Sequence, residues 1–247
     1  DAQLRTAAVM PIRLGNEVVG ALLLANRSRP RGQVDRYTRD VGRELAARVS
    51  EVLTTASLRR SAEVAQQRVE VLARLGELAT RQLATTAGLK AVAEALVPQY
   101  ADSVALMIVE GKELRAGPSF MDRAEVQAWF DTNWNPILPL DADTPAARSL
   151  KTGQPVLFTR RDMLANPNRY APALREAAEH LNFESSLTIP LVSDEGPLGS
   201  LFCSRRAERR PFEAEDITLA PELARRVVPL IQTARHLGRA RAQAEQL

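Results

Sequence analysis

Two stretches of this chain that lie far apart repeat the same pattern of strand, turn, strand and helix. Residues 7–12 followed by 20–25 match residues 187–191 followed by 199–204. Pro11 and Pro190 are 179 residues apart, and so are Gly20 and Gly199. A repeated segment folds alike in both places, so this pattern constrains the architecture more than any single motif does.

The repeat continues into a helix but is incomplete at one end. Residues 44–49 resemble residues 222–227, one position out of step. Nothing in the first copy corresponds to residues 86–183. Because a segment of about 55 residues buries only a modest fraction of its surface, residues 1–58 are predicted to be the C-terminal half of a first domain. Its other half would lie upstream in a longer protein or come from another chain.

The remaining boundaries follow from the same comparison. Residues 59–85 are predicted to form a connector helix, and residues 86–240 a complete domain whose terminal helix begins near residue 217. Residues 241–247 are expected to begin a helix that leads to an effector domain.

Small and apolar residues follow a heptad spacing along the connector. They are Leu58, Ala62, Ala65, Val69, Leu72, Gly76, Ala79 and Leu83. The spacing predicts a homodimer through helices 40–85 and 217–247. The alternative is that the stripe packs only on the sheet of its own domain.

Within the second copy, local signals predict an α+β fold on an antiparallel sheet. Residues 187–191 alternate between apolar and small or polar side chains, as a half-buried strand does. Thr144 before Pro145, with Gly153 at the other end, predicts a short helix. Asp122 with Glu125 predicts a capping box.

Composition excludes several partners. Apolar residues make up 45% of the 247 and charged residues 26%, which is typical of a soluble protein. The net charge of +3 comes from arginines interspersed with acidic residues, so no nucleic-acid face is predicted. No apolar stretch approaches the ~20 residues of a membrane span, and a single cysteine fits a cytoplasmic location.

Four short sequence motifs resemble those of a GAF domain and occur in the same order as in that family. They are residues 152–156, 185–191, 199–201 and 212–216. The resemblance covers about residues 70–240, and residues 1–58 match only its final portion. It implies a central antiparallel sheet with flanking helices and a ligand pocket, in a tandem regulatory region of a bacterial signalling protein.

The ligands known for the family are not favoured here. Members that bind cyclic nucleotides carry Asn-Lys, Phe and Asp-Glu. This chain has Phe212 and Asp216, but Arg205-Arg206 and Ile217 at the other positions, and Asp216 is expected to cap a helix. Cys203 has no His neighbour for a bilin, and the related free methionine sulfoxide reductases need more than one cysteine. No cofactor, metal site or catalytic residue is therefore predicted.

Six of the eleven aromatic residues fall in segments expected to roof the pocket. These candidate ligand-binding residues are Phe120, Trp129, Phe130, Trp134, Phe158 and Tyr170. They predict a regulatory module that binds an unidentified small molecule, or relays strain through its long helices, rather than an enzyme. The alternatives are a dimerisation module without a ligand and, third, a domain that binds a cyclic nucleotide.

Overall fold

A computed structural model describes residues 6–26, 34–80, 86–167, 170 and 172–244. The chain forms two compact units, Asp1–Gln66 and Gln67–Leu247. The division falls inside a helix, whereas the sequence placed boundaries at residues 58 and 85.

The first unit is a hairpin with a helix. Strands β1 (Thr6–Leu14) and β2 (Glu17–Asn26) pair antiparallel, and helix α1 (Arg36–Thr80) follows. Met10 on β1 is buried, and a Cβ built at Gly42 on α1 would come within 2.7 Å of Leu24 and 3.1 Å of Met10. The lack of a side chain at Gly42 therefore lets the helix pack closely on one face of the hairpin.

In its described residues, the second unit contains six strands and six complete helices, together with the end of α1. The helices are α2 (Thr86–Leu96), α3 (Ala124–Asn133), α4 (Pro145–Thr152), α5 (Arg160–Ala165), α6 (Pro172–Leu181) and α7 (Ala214–Ala244). The strands are β3 (Ser103–Glu110), β4 (Glu113–Met121), β5 (Ile137–Pro139), β6 (Val156–Thr159), β7 (Phe183–Ser193) and β8 (Gly196–Arg206). They form one antiparallel sheet in the order β5-β4-β3-β8-β7-β6, so the α+β architecture predicted from the sequence is confirmed.

The two hairpins of the repeat pair in the same register. Pro11 lies opposite Ala21, and Pro190 lies opposite Ser200, so both partners are displaced by 179 residues. The register shifts after Ile12 in the first hairpin and after Leu191, its counterpart, in the second. Strand pairing and bulge therefore coincide in the two copies.

The sheet of the second unit carries a different layer on each face. The end of α1, α2 and α7 pack with Leu187, Ile189 and Leu191 in one apolar core. The other face carries two smaller cores, to which α3, α4 and α6 contribute. Because successive side chains of a strand point to opposite faces, β7 and β8 contact both layers.

The predicted connector stripe is only partly buried. Val71 and Leu75 of α1, which are not part of the predicted stripe, are buried in the helix layer of the second unit, and the stripe residue Leu72 packs beside them. Leu58 and Val69, which belong to the predicted seam, are 68% and 66% exposed. Leu83 lies outside the described residues. Dimerisation through the seam stays a prediction.

Local capping signals gave one correct and one wrong prediction. The Thr144 side chain accepts a hydrogen bond from the backbone of Ala147, and Gly153 ends α4 with a φ of 67°. The capping box at Asp122 does not form, since Arg123 occupies the N-cap position without a side-chain bond. Asp122 instead accepts two hydrogen bonds of 2.6 Å from Arg206.

Candidate functional site

An apolar cavity lies between the sheet and the helices of the second unit, on the face opposite α7. We call α3, α5 and α6, which close it, the cover helices. Its lining residues are Ser103, Val104, Ala105, Met121, Phe130, Trp134, Pro145, Phe158, Met163, Tyr170, Leu174, Ala177, Ala178, Leu181, Phe183 and Phe202. No described residue of this lining carries a charged side chain at neutral pH, so the cavity suits an uncharged molecule.

Aromatic rings form the centre of the lining. The Phe158 ring lies 5.4 Å from Phe202, 5.6 Å from Phe183 and 6.2 Å from Tyr170, measured between ring centroids. Phe130 and Trp134 face each other at 5.2 Å. These spacings are ordinary for packed aromatic pairs, and they give the cavity walls of large, rigid side chains.

One polar atom in the lining has no partner. The indole Nε1 of Trp134 is buried and makes no hydrogen bond to any described residue. An unsatisfied buried donor costs about 1–3 kcal/mol. A hydrogen-bond acceptor placed beside this atom would remove the cost, so Trp134 offers the cavity an unused directional contact.

The cavity is small in this structure. Its volume is about 30 Å³, enough for one or two water molecules. Small-molecule pockets usually measure about 300–1,000 Å³. Any ligand larger than water therefore requires the cover helices to move away from the sheet.

The structure brings four of the six predicted site residues together. Phe130, Trp134, Phe158 and Tyr170 line the cavity. Trp129 packs in the same apolar cluster without lining the space. Phe120 is on the other face of the sheet, against the helix layer, which corrects its predicted place in the roof.

The sheet side of the cavity was missed by the sequence interpretation. Phe183 and Phe202 are strand residues of the sheet, whereas the six predicted residues were placed in the segments expected to roof the pocket. The available signal was alternation along β8, where Leu201 and Cys203 face the helix layer and Phe202 between them faces the cavity.

Two cover helices are joined at their outer side. The rings of Trp129 on α3 and His180 on α6 stack with centroids 4.0 Å apart. Arg123, just before α3, donates hydrogen bonds to the backbone carbonyls of His180 and Leu181. Bonds from a cation to the last carbonyls of a helix are favourable, so α3 and α6 are linked above the cavity.

A buried ionic cluster lies where β8 leads into α7. Arg205 and Arg210 each donate two hydrogen bonds, between 2.8 and 3.1 Å long, to the Asp216 carboxylate. The Arg205 guanidinium also lies 4.0 Å from the centroid of the Phe212 ring and donates to the carbonyl of Tyr100. The cluster therefore ties the start of α7 to the sheet and to the segment after α2.

The electrostatic balance in this cluster favours the charged form of Asp216. Burial alone would raise the pKa of Asp216, but the hydrogen bonds and charge of Arg205, with Arg210, hold it below its ordinary value. Asp216 is the third residue of α7 and not its N-cap. From that position its carboxylate accepts a hydrogen bond from the backbone N–H of Glu213. None of these side chains lines the cavity.

Cys203, the only cysteine of the chain, is fully buried in the helix layer. Burial raises the pKa of its thiol to about 12, so the reactive thiolate is almost absent at neutral pH. The described residues contain no group of three or more His, Cys, Asp or Glu side chains placed to hold a metal ion. None of the described helices has a stretch long and apolar enough to span a bilayer.

Comparison with known proteins identifies the family. The sequence profile of the GAF domain matches residues 72–228, which is more than half of the chain. The chain therefore belongs to the GAF family. A comparison with curated protein sequences gives no match.

Solved structures with the same fold have low sequence identity. The free methionine-R-sulfoxide reductase of Neisseria meningitidis, solved with its substrate, is 19% identical, with a TM-score of 0.52, over 70% of this chain and 93% of that one. A putative GAF sensor protein from Burkholderia vietnamiensis is 22% identical, with a TM-score of 0.48, over 68% and 98%. The GAF domain of a phosphoenolpyruvate-protein phosphotransferase from Coxiella burnetii is 17% identical, with a TM-score of 0.49, over 72% and 98%.

Proposed function

We propose that residues 67–247 form a regulatory signal-input module. A small uncharged molecule enters the aromatic cavity, and its presence changes the packing of α7 and the end of α1. The signal then passes to an effector domain outside this chain, such as a phosphatase or a histidine kinase. One observation carries this proposal: on β8, Phe202 lines the cavity while Leu201 and Cys203 pack in the helix layer.

The chemistry of the lining selects the ligand class. Apolar walls favour an aromatic or compact aliphatic body, and the free Nε1 of Trp134 favours one hydrogen-bond acceptor. An anion such as a cyclic nucleotide would lose its hydration without gaining a cationic partner from the described lining. Arg205 is already paired with Asp216 in the ionic cluster.

Catalysis is not part of the proposal. The Neisseria protein of the same fold is a reductase, but an identity of 19% supports only the fold. The one cysteine here is buried on the face away from the cavity, so the thiol chemistry expected of such a reductase has no nucleophile at the site.

Binding of benzyl alcohol, compared with benzoate, tests the ligand class. Both have an aromatic body, but only the alcohol is neutral. We expect benzyl alcohol to raise the Tm by a few degrees, since 1 kcal/mol of binding linkage corresponds to about 2–4 °C in a domain of this size. Benzoate should give no shift, and equal shifts for both compounds would contradict the proposed chemistry.

A variant of Trp134 tests the directional contact. Trp134→Phe keeps an aromatic ring and removes the N–H, so we expect benzyl alcohol to bind roughly fivefold more weakly, as loss of one hydrogen bond worth about 1 kcal/mol implies. Trp129→Phe is the matched control, because Trp129 does not line the cavity. Equal affinities in the two variants would remove Trp134 from the site.

A dimerisation module without a ligand is the second candidate. The small size of the cavity favours it, and so do the exposed apolar residues of α1, among them Val52, Leu58 and Val69. Sedimentation equilibrium of the chain and of a Leu58→Glu, Val69→Glu variant tests it. A dimer that the variant abolishes, together with no benzyl alcohol binding, would favour this candidate over the first.

We also propose that residues 1–58 are the C-terminal half of another GAF domain, so that the parent protein carries the domain in tandem. The shared register and bulge of the two hairpins support this arrangement. Both copies also place a helix with a small residue, Gly42 or Ala220, against the hairpin.

A further inference from the structure

The β1–β2 hairpin has the geometry of a sheet that lacks its neighbours. We infer that its β2 edge receives an antiparallel strand over residues 20–25, and that its exposed face is covered by the same polypeptide. That polypeptide is folded like residues 86–182 of the second unit. The inference rests on the proposal that residues 1–58 are half a GAF domain, and it specifies the surface and the partner.

The second unit shows which edge is involved. Strand β3 pairs antiparallel with β8, with partners that run from Ser103 opposite Ser204 to Ile108 opposite Gly199. The offset of 179 places residues 199–204 of β8 at residues 20–25 of β2. Among the described residues β2 pairs only with β1, so this row of backbone donors and acceptors has no strand beside it.

A glycine at the same position in both hairpins indicates how close the absent strand comes. A Cβ built at Gly199 would lie 2.1 Å from the carbonyl oxygen of Met107 on β3, so only glycine fits beside that strand. Gly20 occupies the same place in the first hairpin, yet among the described residues a Cβ there would meet only the Ile12 side chain, at 3.9 Å. The described part of the first unit does not require a glycine at position 20 on steric grounds, whereas a strand placed like β3 would.

The exposed face of the hairpin has the composition of a core. Its residues are Ala7, Val9, Pro11, Ala21, Leu23 and Ala25. Val9 and Leu23 are 64% and 56% exposed, although a solvent-facing sheet surface normally carries polar side chains. In the second unit, Thr188 and Ser200, the equivalents of Val9 and Ala21, are fully buried, and Phe202, the equivalent of Leu23, is partly buried.

These observations favour one kind of partner. A second copy of the hairpin could pair edge to edge through β2, but it would leave the apolar face uncovered. A polypeptide like residues 86–182 satisfies both surfaces, because in the second unit that segment supplies β3 to the β8 edge and α4 to the face of β7 and β8.

The test is an extended chain in which residues 86–182 are duplicated and joined to residue 4, the position that the offset assigns to Phe183. Residues 4–247 follow unchanged. Hydrogen exchange of the amides at residues 20–25 and thiol labelling of a Leu23→Cys variant, made in a Cys203→Ser background, are compared with those of the unextended chain. We expect both rates to fall at least tenfold in the extended chain, because new strand pairing and burial protect these groups.

Gly20→Ala is the matched control in both chains. In the unextended chain it should leave exchange at residues 20–25 unchanged, and in the extended chain it should restore fast exchange by keeping the added strand away. If the amides at residues 20–25 of the extended chain stay protected from exchange when Gly20→Ala is introduced, the inference is overturned.

The two readouts separate this inference from the half-domain proposal. Slow labelling at position 23 with unchanged exchange at residues 20–25 would leave the half domain in place and reject the strand. No change in either would reject both. Protection that appears in the unextended chain only as its concentration rises would show that a second copy occupies the surface, which also overturns the inference.

Discussion

Among the described glycines of the second unit, Gly199 has the tightest steric requirement. Its partner across the β3–β8 pairing is Ile108, and a Cβ at Gly199 would come within 2.1 Å of the carbonyl oxygen of Met107, the residue before it. Backbone atoms cannot give way as the end of a flexible side chain does, so the pairing of the central strands depends on this glycine.

We therefore expect Gly199→Ala to destabilise the second unit by at least about 1–3 kcal/mol, the usual cost of overpacking. Gly20→Ala, at the equivalent place in the first hairpin, should change the stability of the first unit by less than about 1 kcal/mol. Exchange of the amides in β8 and β2 measures the two effects separately. A tolerated Gly199→Ala would show that β3 does not approach β8 as described.

Asp216 is the residue on which the ionic cluster depends. Arg205 is 2% exposed and paired with the Asp216 carboxylate. Asp216→Asn would leave a buried guanidinium without its counter-charge, which costs about 3–5 kcal/mol. Glu113→Gln, which breaks an exposed pair with Arg115, should cost no more than about 1 kcal/mol. Urea unfolding followed on the second unit distinguishes the two variants.

The same cluster predicts a pH dependence with a defined sign. The pKa of Asp216 is lower in the folded state than in an ordinary carboxyl group, so the unfolded state binds more protons near pH 4. The stabilisation is complete above the ordinary pKa and is lost as the pH falls through the lower, folded value. The difference in stability between the wild type and Asp216→Asn should therefore shrink below about pH 4, and a constant difference would contradict this assignment.

At the scale of elements, the end of α1 and α7 are held together by a few polar contacts beside their apolar packing. Arg226 on α7 donates a hydrogen bond to the Leu72 carbonyl on α1 and lies 3.7 Å from Glu222, which also pairs with Arg68. The absence of a side chain at Gly76 leaves space for the guanidinium, whose nitrogen would be 3.4 Å from a Cβ there.

Arg226→Gln should weaken this contact by about 1 kcal/mol and speed amide exchange in the last three turns of α1 within the second unit. Arg225→Gln, on the neighbouring exposed residue, should change the stability by less than about 0.5 kcal/mol. If both variants leave exchange in α1 unchanged, the contact does not couple the two helices.

Elements with local signals could be predicted from the sequence, and those set by distant partners could not. Helix α4 was predicted because Thr144, Pro145 and Gly153 act within one helix. The role of Asp122 was missed because its partner, Arg206, is 84 residues away. Strand β5 has three residues and α5 has six, too few for a periodicity to appear.

For the whole molecule, the repeat predicted the matching hairpins, and the motifs that resemble the GAF family predicted the sheet with its flanking helices. The cavity was predicted less completely. The sequence showed which segments are rich in aromatic residues. It did not show on which face of the sheet Phe120 and Phe202 lie, because that depends on the alternation of side chains along each strand and not on the spacing between aromatic residues. The small volume of the cavity, about 30 Å³, depends on packing among nine strands and helices and is not encoded in any one segment.

At this scale, a ligand in the cavity is proposed to change the packing of the helices on the opposite face of the sheet. Hydrogen exchange of the full chain, with and without saturating benzyl alcohol, measures this most directly. We predict slower exchange in the cover helices together with a change in α7 around Leu223 and Val227, which are buried against the sheet, and neither change with Trp134→Phe at the same ligand concentration. Slower exchange confined to the cover helices, with α7 unaffected, would contradict the claim.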